Sequence, residues 1–202
     1  ESLWNHPERA KWFGGGADWP GIHSILVDPR DRRRLLLAVS CGGVWESRDD
    51  GGTWQNIGEG IRAEFMPPDQ AYDPGIQDAH RIAWATSNPD TIWMQHHNGI
   101  FVSENGGLNW REIENAAPSA FGFAVAVHPN DPRTAWFVPG IKDELRVACD
   151  GALCVMRTRD GGDTWEQLRV GLPQEHAYHL VFRHSLDVSS DRRTLAFGST
   201  TG

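Results

Sequence analysis

Three octets constrain this chain more than any other feature. "SRDDGGTW" (47–54), "SENGGLNW" (103–110) and "TRDGGDTW" (158–165) share one frame: Ser or Thr, any residue, Asp or Asn, any residue, Gly, any residue, Thr or Asn, Trp. The closing tryptophans are Trp54, Trp110 and Trp165, so the intervals are 110 − 54 = 56 and 165 − 110 = 55. A fixed period of roughly fifty residues belongs to propellers and solenoids, in which stacked units bury a core that none of them buries alone.

The segments ahead of the octets repeat as well. "SILVDPRDRRRLLLAVSCGGVWES", "RIAWATSNPDTIWMQHHNGIFVS", "FAVAVHPNDPRTAWFVPG" and "LVFRHSLDVSSDRRTLAFGSTTG" each read as an apolar run, a turn rich in Pro, Asp, Asn or Ser, a second apolar run and then a glycine-containing stretch. Short Val, Ile, Leu, Phe and Trp runs between turn residues are strand signals. A third strand leads into each octet ("GVWES", "GIFVS", "LCVMRT") and a fourth follows its tryptophan ("WQNIG", "WREIE", "WEQLR"). Four hairpin-connected strands per unit make one blade of an all-β propeller. The expected blades are 22–57, 80–113 and 123–169, with a half blade at 179–199 whose strands are 179–184 and 194–199. The stretch before residue 23 resembles 58–80, so a further blade is expected ahead of the first. Three and a half blades leave sheet edges open. The missing blades are therefore expected from a longer polypeptide or from a second chain.

Composition limits the partners. The net charge of −8 argues against nucleic acid, which is bound through clustered Lys and Arg. The basic run Arg30, Arg32, Arg33 and Arg34 falls in a short turn and reads as a solvated hairpin. No apolar stretch approaches the ~20 residues of a membrane helix. No secretory signal is visible, and three cysteines make no disulfide framework, which leans towards the cytoplasm without fixing the compartment. Cys149 and Cys154 flank a turn and either pair across it or stay reduced; Cys41 has no evident partner.

The octet sits between the third and fourth strands, where glycines allow positive φ and Asp, Asn, Ser or Thr side chains bond turn amides. Its frame resembles the Asp-box, or BNR, repeat of the sialidase-like propellers. These include sialidases, sortilin-type receptors, some cellulose and xyloglucan hydrolases, and photosystem assembly factors. The matching residues are Ser47, Asp49, Gly51, Thr53 and Trp54; Ser103, Asn105, Gly107, Asn109 and Trp110; and Thr158, Asp160, Gly162, Thr164 and Trp165. The second box departs most, through Asn105 and Asn109. The resemblance implies a structural turn on the face away from the active site, so Asp49, Asp50 and Asp160 are poor candidates for catalysis. The phrases "WFGGGADWPGIHSI", "SCGGVW", "QHHNGIF" and "FGFAVAVHP" are similar to bacterial chains described as glycosyl hydrolase or exo-α-sialidase-like BNR proteins. That description follows the fold, and a fold does not by itself define a function.

In a propeller, the loops entering each first strand open on the same face as the turns between second and third strands. Long loops on a rigid scaffold carry most binding sites. This face is expected to gather Trp19, His23, His80, Arg81, His96, His97, Lys142 and Arg146 around a carbohydrate or other small polar ligand. His23, His80, His96 and His97 are the candidate metal ligands, with at most one of the last two pointing inwards because side chains alternate along a strand. Asp78, Asp143, Glu144 and Glu175 are the carboxylates from which a glycosidase acid pair would come, and Tyr178 beside Glu175 is a nucleophile candidate. The candidate catalytic set is thus Asp78, Glu144, Glu175 and Tyr178. Trp19, Phe121 and Tyr178 either form a sugar-stacking platform or cap the channel. The sialidase resemblance would require an Arg-Ile-Pro segment, which is absent, and only two tyrosines exist, Tyr72 and Tyr178; both points argue against a true sialidase. A hydrolase or carbohydrate binder, a non-catalytic assembly propeller and a metal-dependent enzyme all stay open, and no motif names a cofactor.

Overall fold

The computed structural model describes residues 2–201. Strands β1 (Ile22–Val27), β2 (Leu35–Val39), β3 (Gly43–Ser47) and β4 (Gln55–Asn56) form one antiparallel sheet in chain order. Strands β5 (Ala79–Ala85), β6 (Asn88–His96), β7 (Ile100–Ser103) and β8 (Arg111–Ile113) form the second. Strands β9 (Gly122–Val127), β10 (Ala135–Pro139), β11 (Val155–Thr158) and β12 (Glu166–Leu168) form the third. A last pair, β13 (Leu186–Val188) and β14 (Leu195–Phe197), stands alone. The first strands are neighbours in turn: β1 lies against β5, β5 against β9, and β9 against β13. This is the radial arrangement of a partial β-propeller.

Sheets in such a stack are covered on both faces, so strands read as near-continuous apolar runs. Every residue of β3 and of β9 is buried. Leu36, Val44 and Ile57 of the first sheet pack on Ile82, Met94 and Phe101 of the second. Trp93 and Ile113 of the second pack on Val125 and Phe137 of the third. The third meets the final pair through Ala124, Trp136 and Leu186. Strand β1 differs, because Ile22, Ile25 and Val27 stand 53%, 65% and 52% exposed on its free side.

The octets build one turn three times. In the first, the Ser47 hydroxyl donates to Asp49 Oδ1 (2.9 Å) and accepts the Gly51 amide (2.8 Å), while Asp49 accepts the Thr53 amide (2.7 Å) and hydroxyl (2.8 Å). Thr158, Asp160, Gly162 and Thr164 repeat these contacts. In the second octet the last bond reverses: Asn105 Nδ2 donates to Asn109 Oδ1 (2.9 Å), so the paired departure from the frame keeps the contact. These bonds hold two successive residues at positive φ: Asp50 and Gly51 (63° and 85°), Gly106 and Gly107 (76° and 94°), Gly161 and Gly162 (84° and 97°). Hydrogen bonding from Thr53 and Ser47 keeps the Asp49 carboxyl below its ordinary range, and Thr164 brings Asp160 down to about 2. These are anchored anions, unsuited to moving a proton at neutral pH.

Glycine is needed here for space as well as for φ. A Cβ on Gly107 would sit 2.7 Å from Ile57 Cδ1, and one on Gly162 would sit 2.6 Å from Ile113 Cδ1. The second and third turns therefore press their backbone onto the fourth-strand side of the preceding sheet. The Trp110 indole N–H reinforces this by donating to Gly107 O (2.8 Å) and across the sheets to Ile57 O (3.1 Å).

Two expectations are corrected, and one alternative left open is decided. Residues 179–184 are not a ladder strand. Leu180 bonds to Thr200, a turn follows in which the Ser185 amide donates to Phe182 O (2.7 Å), and the ladder begins only at Leu186. Arg34 is not solvated: its buried guanidinium donates to Glu46 (2.7 Å), Asp28 (2.8 Å) and Gly106 O of the next sheet (2.7 Å). Only its neighbours in the run face water. Cys149 and Cys154 are unbridged, and like Cys41 both are buried thiols. Among the described residues, no helix is long and apolar enough to cross a membrane.

Trp110 is only 6% exposed and joins two sheets. Trp110→Ala is expected to lower unfolding free energy by ~3–5 kcal/mol, the usual cost of truncating a buried large aromatic. Urea unfolding followed by circular dichroism measures it.

Candidate functional site

The propeller arrangement brings loop and strand ends from all four sheets to one mouth. A cavity of about 690 Å³ opens there. Trp19 and His23 come from the entry to β1, and Ser40 and Cys41 from the β2–β3 turn. Asp78 immediately precedes β5, His80 lies in it, and His97 follows β6. Phe123 on β9, Asp143 and Arg146 in the β10–β11 loop, and Arg183 ahead of β13 complete the wall.

Asp78 is the hub, and it is 8% exposed. Its Oδ1 accepts the Ser40 hydroxyl (2.7 Å), while its Oδ2 faces His97 Nδ1 (3.3 Å) and His80 Nε2 (3.6 Å). Burial alone would push this carboxyl up, but its contacts with His80, His97 and Ser40 outweigh that and hold it far below the usual range. The direction favours the carboxylate form of Asp78.

The imidazoles have distinct roles. His80 Nδ1 donates to the Gly122 carbonyl in the third sheet (2.7 Å), and its ring stacks on Phe123 with centroids 4.4 Å apart. This fixes the tautomer and turns Nε2 towards Asp78. His97 points into the cavity; Asp78 raises its pKa against the effect of burial, and its Nε2 lies 3.9 Å from Asp143 Oδ2. His96 faces the opposite way. It is fully buried, its Nε2 accepts the Asp78 amide (3.0 Å), and burial drives it down to about 3. His23 lines the cavity, and burial followed by Arg183 lowers it to about 4.

Arg183 carries the least compensated charge in the wall. Its Nε is buried without a hydrogen-bond partner, and among the described residues no carboxylate pairs with it. Its guanidinium carbon lies 5.3 Å from the Phe123 ring centroid, and that of Arg146 lies at 5.5 Å. Arg146 is paired with Asp143. Trp19 offers an 80% exposed indole at the rim. Cys41 also lines the cavity, but burial and then Asp78 push its thiol up to about 12, so it is no nucleophile at neutral pH.

The sequence candidates separate into groups. Trp19, His23, Asp78, His80, His97 and Arg146 share the cavity. The four-histidine metal set does not form, because His96 spends its Nε2 on a backbone amide and His23 is outside the cluster; the groups brought together are Asp78, His80 and His97. The catalytic set is also divided. Lys142 and Glu144 pair with each other at 3.6 Å beside a neighbouring cavity, and Glu175 and Tyr178 line a third. Arg81 donates to the Arg183 carbonyl and does not line the cavity. Phe121 packs with Phe123 and Leu180 and lines the neighbouring cavity, not this one. Ser40, Phe123 and the unpaired state of Arg183 carry no signal in the sequence.

No family model matches this chain. It is 29% identical over 175 residues to the oligoxyloglucan-reducing end-specific xyloglucanase of Emericella nidulans, covering 81% of this chain and 20% of that protein. The chain thus spans about a fifth of the length of that curated relative. Among solved structures, an ancestral GH74 enzyme superposes with a TM-score of 0.65 at 17% identity, over 90% of this chain and 22% of the other. YCF48 from Cyanidioschyzon merolae gives 0.50 at 18% identity, over 72% and 39%. At these identities the structural likeness defines the fold, a propeller of the kind seen in GH74 enzymes.

The buried histidines make the fold sensitive to acid. The unfolded chain takes up protons near pH 6.5, whereas folded His23 and His96 resist until about 4 and about 3, so their contribution is complete above ~6.5 and is lost as pH falls. His97, raised, acts in the opposite sense: its contribution is present below ~6.5 and is lost as pH rises through its folded value. Histidine-selective NMR is expected to show His96 neutral at pH 5 while His97 is protonated. A His96 signal that titrates near pH 6.5 would contradict this structure.

Proposed function

We propose that this chain is part of a carbohydrate-active, glycoside-hydrolase-like β-propeller, and that the cavity around Asp78 binds a polar saccharide. One observation carries the reading: an exposed indole, Trp19, and a guanidinium without a carboxylate partner, Arg183, border the same 690 Å³ space. An aromatic face suits the C–H surface of a sugar ring, and a guanidinium fork suits its oxygens. The xyloglucanase named above supports the substrate class. In this reading the octets are Asp-box turns and lie apart from the ligand. Asp78 positions His80 and His97, and the other cavity carboxylate, Asp143, is paired with Arg146. A separated pair of free carboxylates, as hydrolysis by two acids requires, is not assembled from Asp78, Glu144 and Glu175, so binding is the primary role of this segment.

The same reading has the ring continued by further blades of the same kind against the free side of β1. The apolar residues Ile22, Ile25 and Val27 support this, since β9 is buried along its whole length. The isolated chain is expected to self-associate in light scattering, and Ile25→Glu to reduce that association. A monomeric wild-type chain would count against further blades.

Xyloglucan oligosaccharides, titrated calorimetrically, are the direct test of the site. Binding is expected, with Trp19→Ala and Arg183→Gln each weakening it at least ~10-fold, about 1.4 kcal/mol, while leaving the unfolding midpoint close to wild type. Absence of binding to xyloglucan and other neutral or acidic oligosaccharides would sink the proposal.

A further inference from the structure

The contacts around Asp78 contain a problem of charge. His80 Nδ1 donates to the Gly122 carbonyl, so in the neutral imidazole Nε2 bears a lone pair, and that lone pair faces Asp78 Oδ2 at 3.6 Å. With His80 neutral, two acceptors face each other in a buried site, an arrangement that a cation relieves, either a second proton on the ring or a metal ion. At 3.6 Å a second proton makes an ion pair and no short hydrogen bond, since N–H···O bonds run to ~3.2 Å. Two ligand atoms that share a metal at ~2.0–2.1 Å with tetrahedral angles lie roughly 3.4 Å apart. The observed separations from Asp78 Oδ2 are 3.3 Å to His97 Nδ1 and 3.6 Å to His80 Nε2, and one donor atom from each of the three residues falls within 4.8 Å of the others.

We propose that Asp78, His80 and His97 form a binding site for a divalent transition-metal ion, with zinc the best match, at the floor of the cavity. Two imidazoles and one carboxylate are the donor set that zinc and its neighbours accept, whereas calcium and magnesium prefer all-oxygen sites. One outer contact of a built metal site is also present. Metal-bound histidines give their second ring nitrogen to a carbonyl or carboxylate. His80 does so, meeting Gly122 O at 2.7 Å, whereas the second nitrogen of His97 lies 3.9 Å from Asp143, beyond hydrogen-bond reach. Asp78 Oδ1 is occupied by Ser40 at 2.7 Å, which leaves Oδ2 for the ion. Phe123 stacks on His80 and fixes its plane. Three protein donors leave a coordination position open to the cavity, where Arg146 and Arg183 are placed to hold an anionic or oxygen-rich ligand of that ion. The site stands on these residues alone and does not depend on a saccharide entering the cavity.

The test uses the whole chain, stripped with EDTA and exchanged into buffer without sugar at pH 7.5. Co2+ is titrated by visible absorption and Zn2+ by calorimetry. One equivalent is expected to bind with a micromolar or tighter constant, with d–d bands from Co2+ that Zn2+ bleaches. His97→Gln, whose side chain is the least buried of the three, is expected to weaken binding at least ~10-fold, and His176→Gln in a separate cavity to leave it unchanged. Histidine NMR of the wild type gives a readout that requires no variant to fold: Zn2+ must move the His80 and His97 ring signals and spare His176. No saturable uptake, uptake that His97→Gln does not alter, or shifts confined to other histidines would overturn the site and leave a proton-held ion cluster. Sugar titrations repeated in EDTA keep this outcome separate from failure of the saccharide reading.

Discussion

Everything in this fold depends on how closely one sheet can approach the next at the octet turn. In the second and third octets, two successive residues at positive φ bring the backbone of the turn onto Ile57 and Ile113 of the sheet before it, leaving no space for a Cβ at Gly107 or Gly162. The Ser/Thr and Asp/Asn side chains supply the hydrogen bonds that make this backbone tolerable. The turn is also tied to the first hairpin of its own sheet: the amides of Asp50, Gly106 and Gly161 donate to the carbonyls of Arg33, Asp90 and Arg133. Sheet spacing is thus set by backbone, and the tryptophans and branched residues fill what that spacing leaves.

At the opposite mouth the joining element is a charge. Asp78 is linked to Ser40 in the first sheet, to His97 in its own sheet and, through His80, to Gly122 in the third. A buried carboxylate is costly unless it is compensated, and here the compensation comes from three sheets at once. Loss of any partner would therefore disturb both the cavity floor and the alignment of the blades. Arg34 plays a comparable part near the octets, with Asp28 and Glu46 in its own sheet and Gly106 O in the next.

The repeat was legible because its signals are local: a hairpin turn needs its glycines and Asx residues at fixed offsets, and those offsets recur. At 179–184 the fourth unit departs from its sequence signal: "LVF" has strand composition, but the turn at Phe182–Ser185 interrupts the ladder, which composition does not reveal. Histidines at matching points of neighbouring blades, and their opening onto one face, followed from topology. Which nitrogen of which ring points where did not. His96 and His97 are adjacent in sequence, yet one holds the backbone of Asp78 and the other its carboxylate. Asp143 was visible only as one of several loop acids, and Arg183 gained meaning only when the absence of a carboxylate beside it became apparent. Arg34 looked like any arginine in a basic turn, because its partners come from a distant strand and from another blade.

The tryptophans divide sharply by environment, which gives the molecule a built-in optical contrast. Trp45 and Trp93 are fully enclosed, whereas Trp19 is 80% exposed at the cavity rim. Emission from the enclosed indoles belongs at the blue end of the spectrum and that of Trp19 at the red end. A ring that settles on Trp19 would remove water from that chromophore and leave the enclosed ones unchanged; Trp4, 68% exposed, shares the red end, so the part of the red shoulder that Trp19→Phe removes reports occupancy of the cavity, while the blue edge reports integrity of the blades.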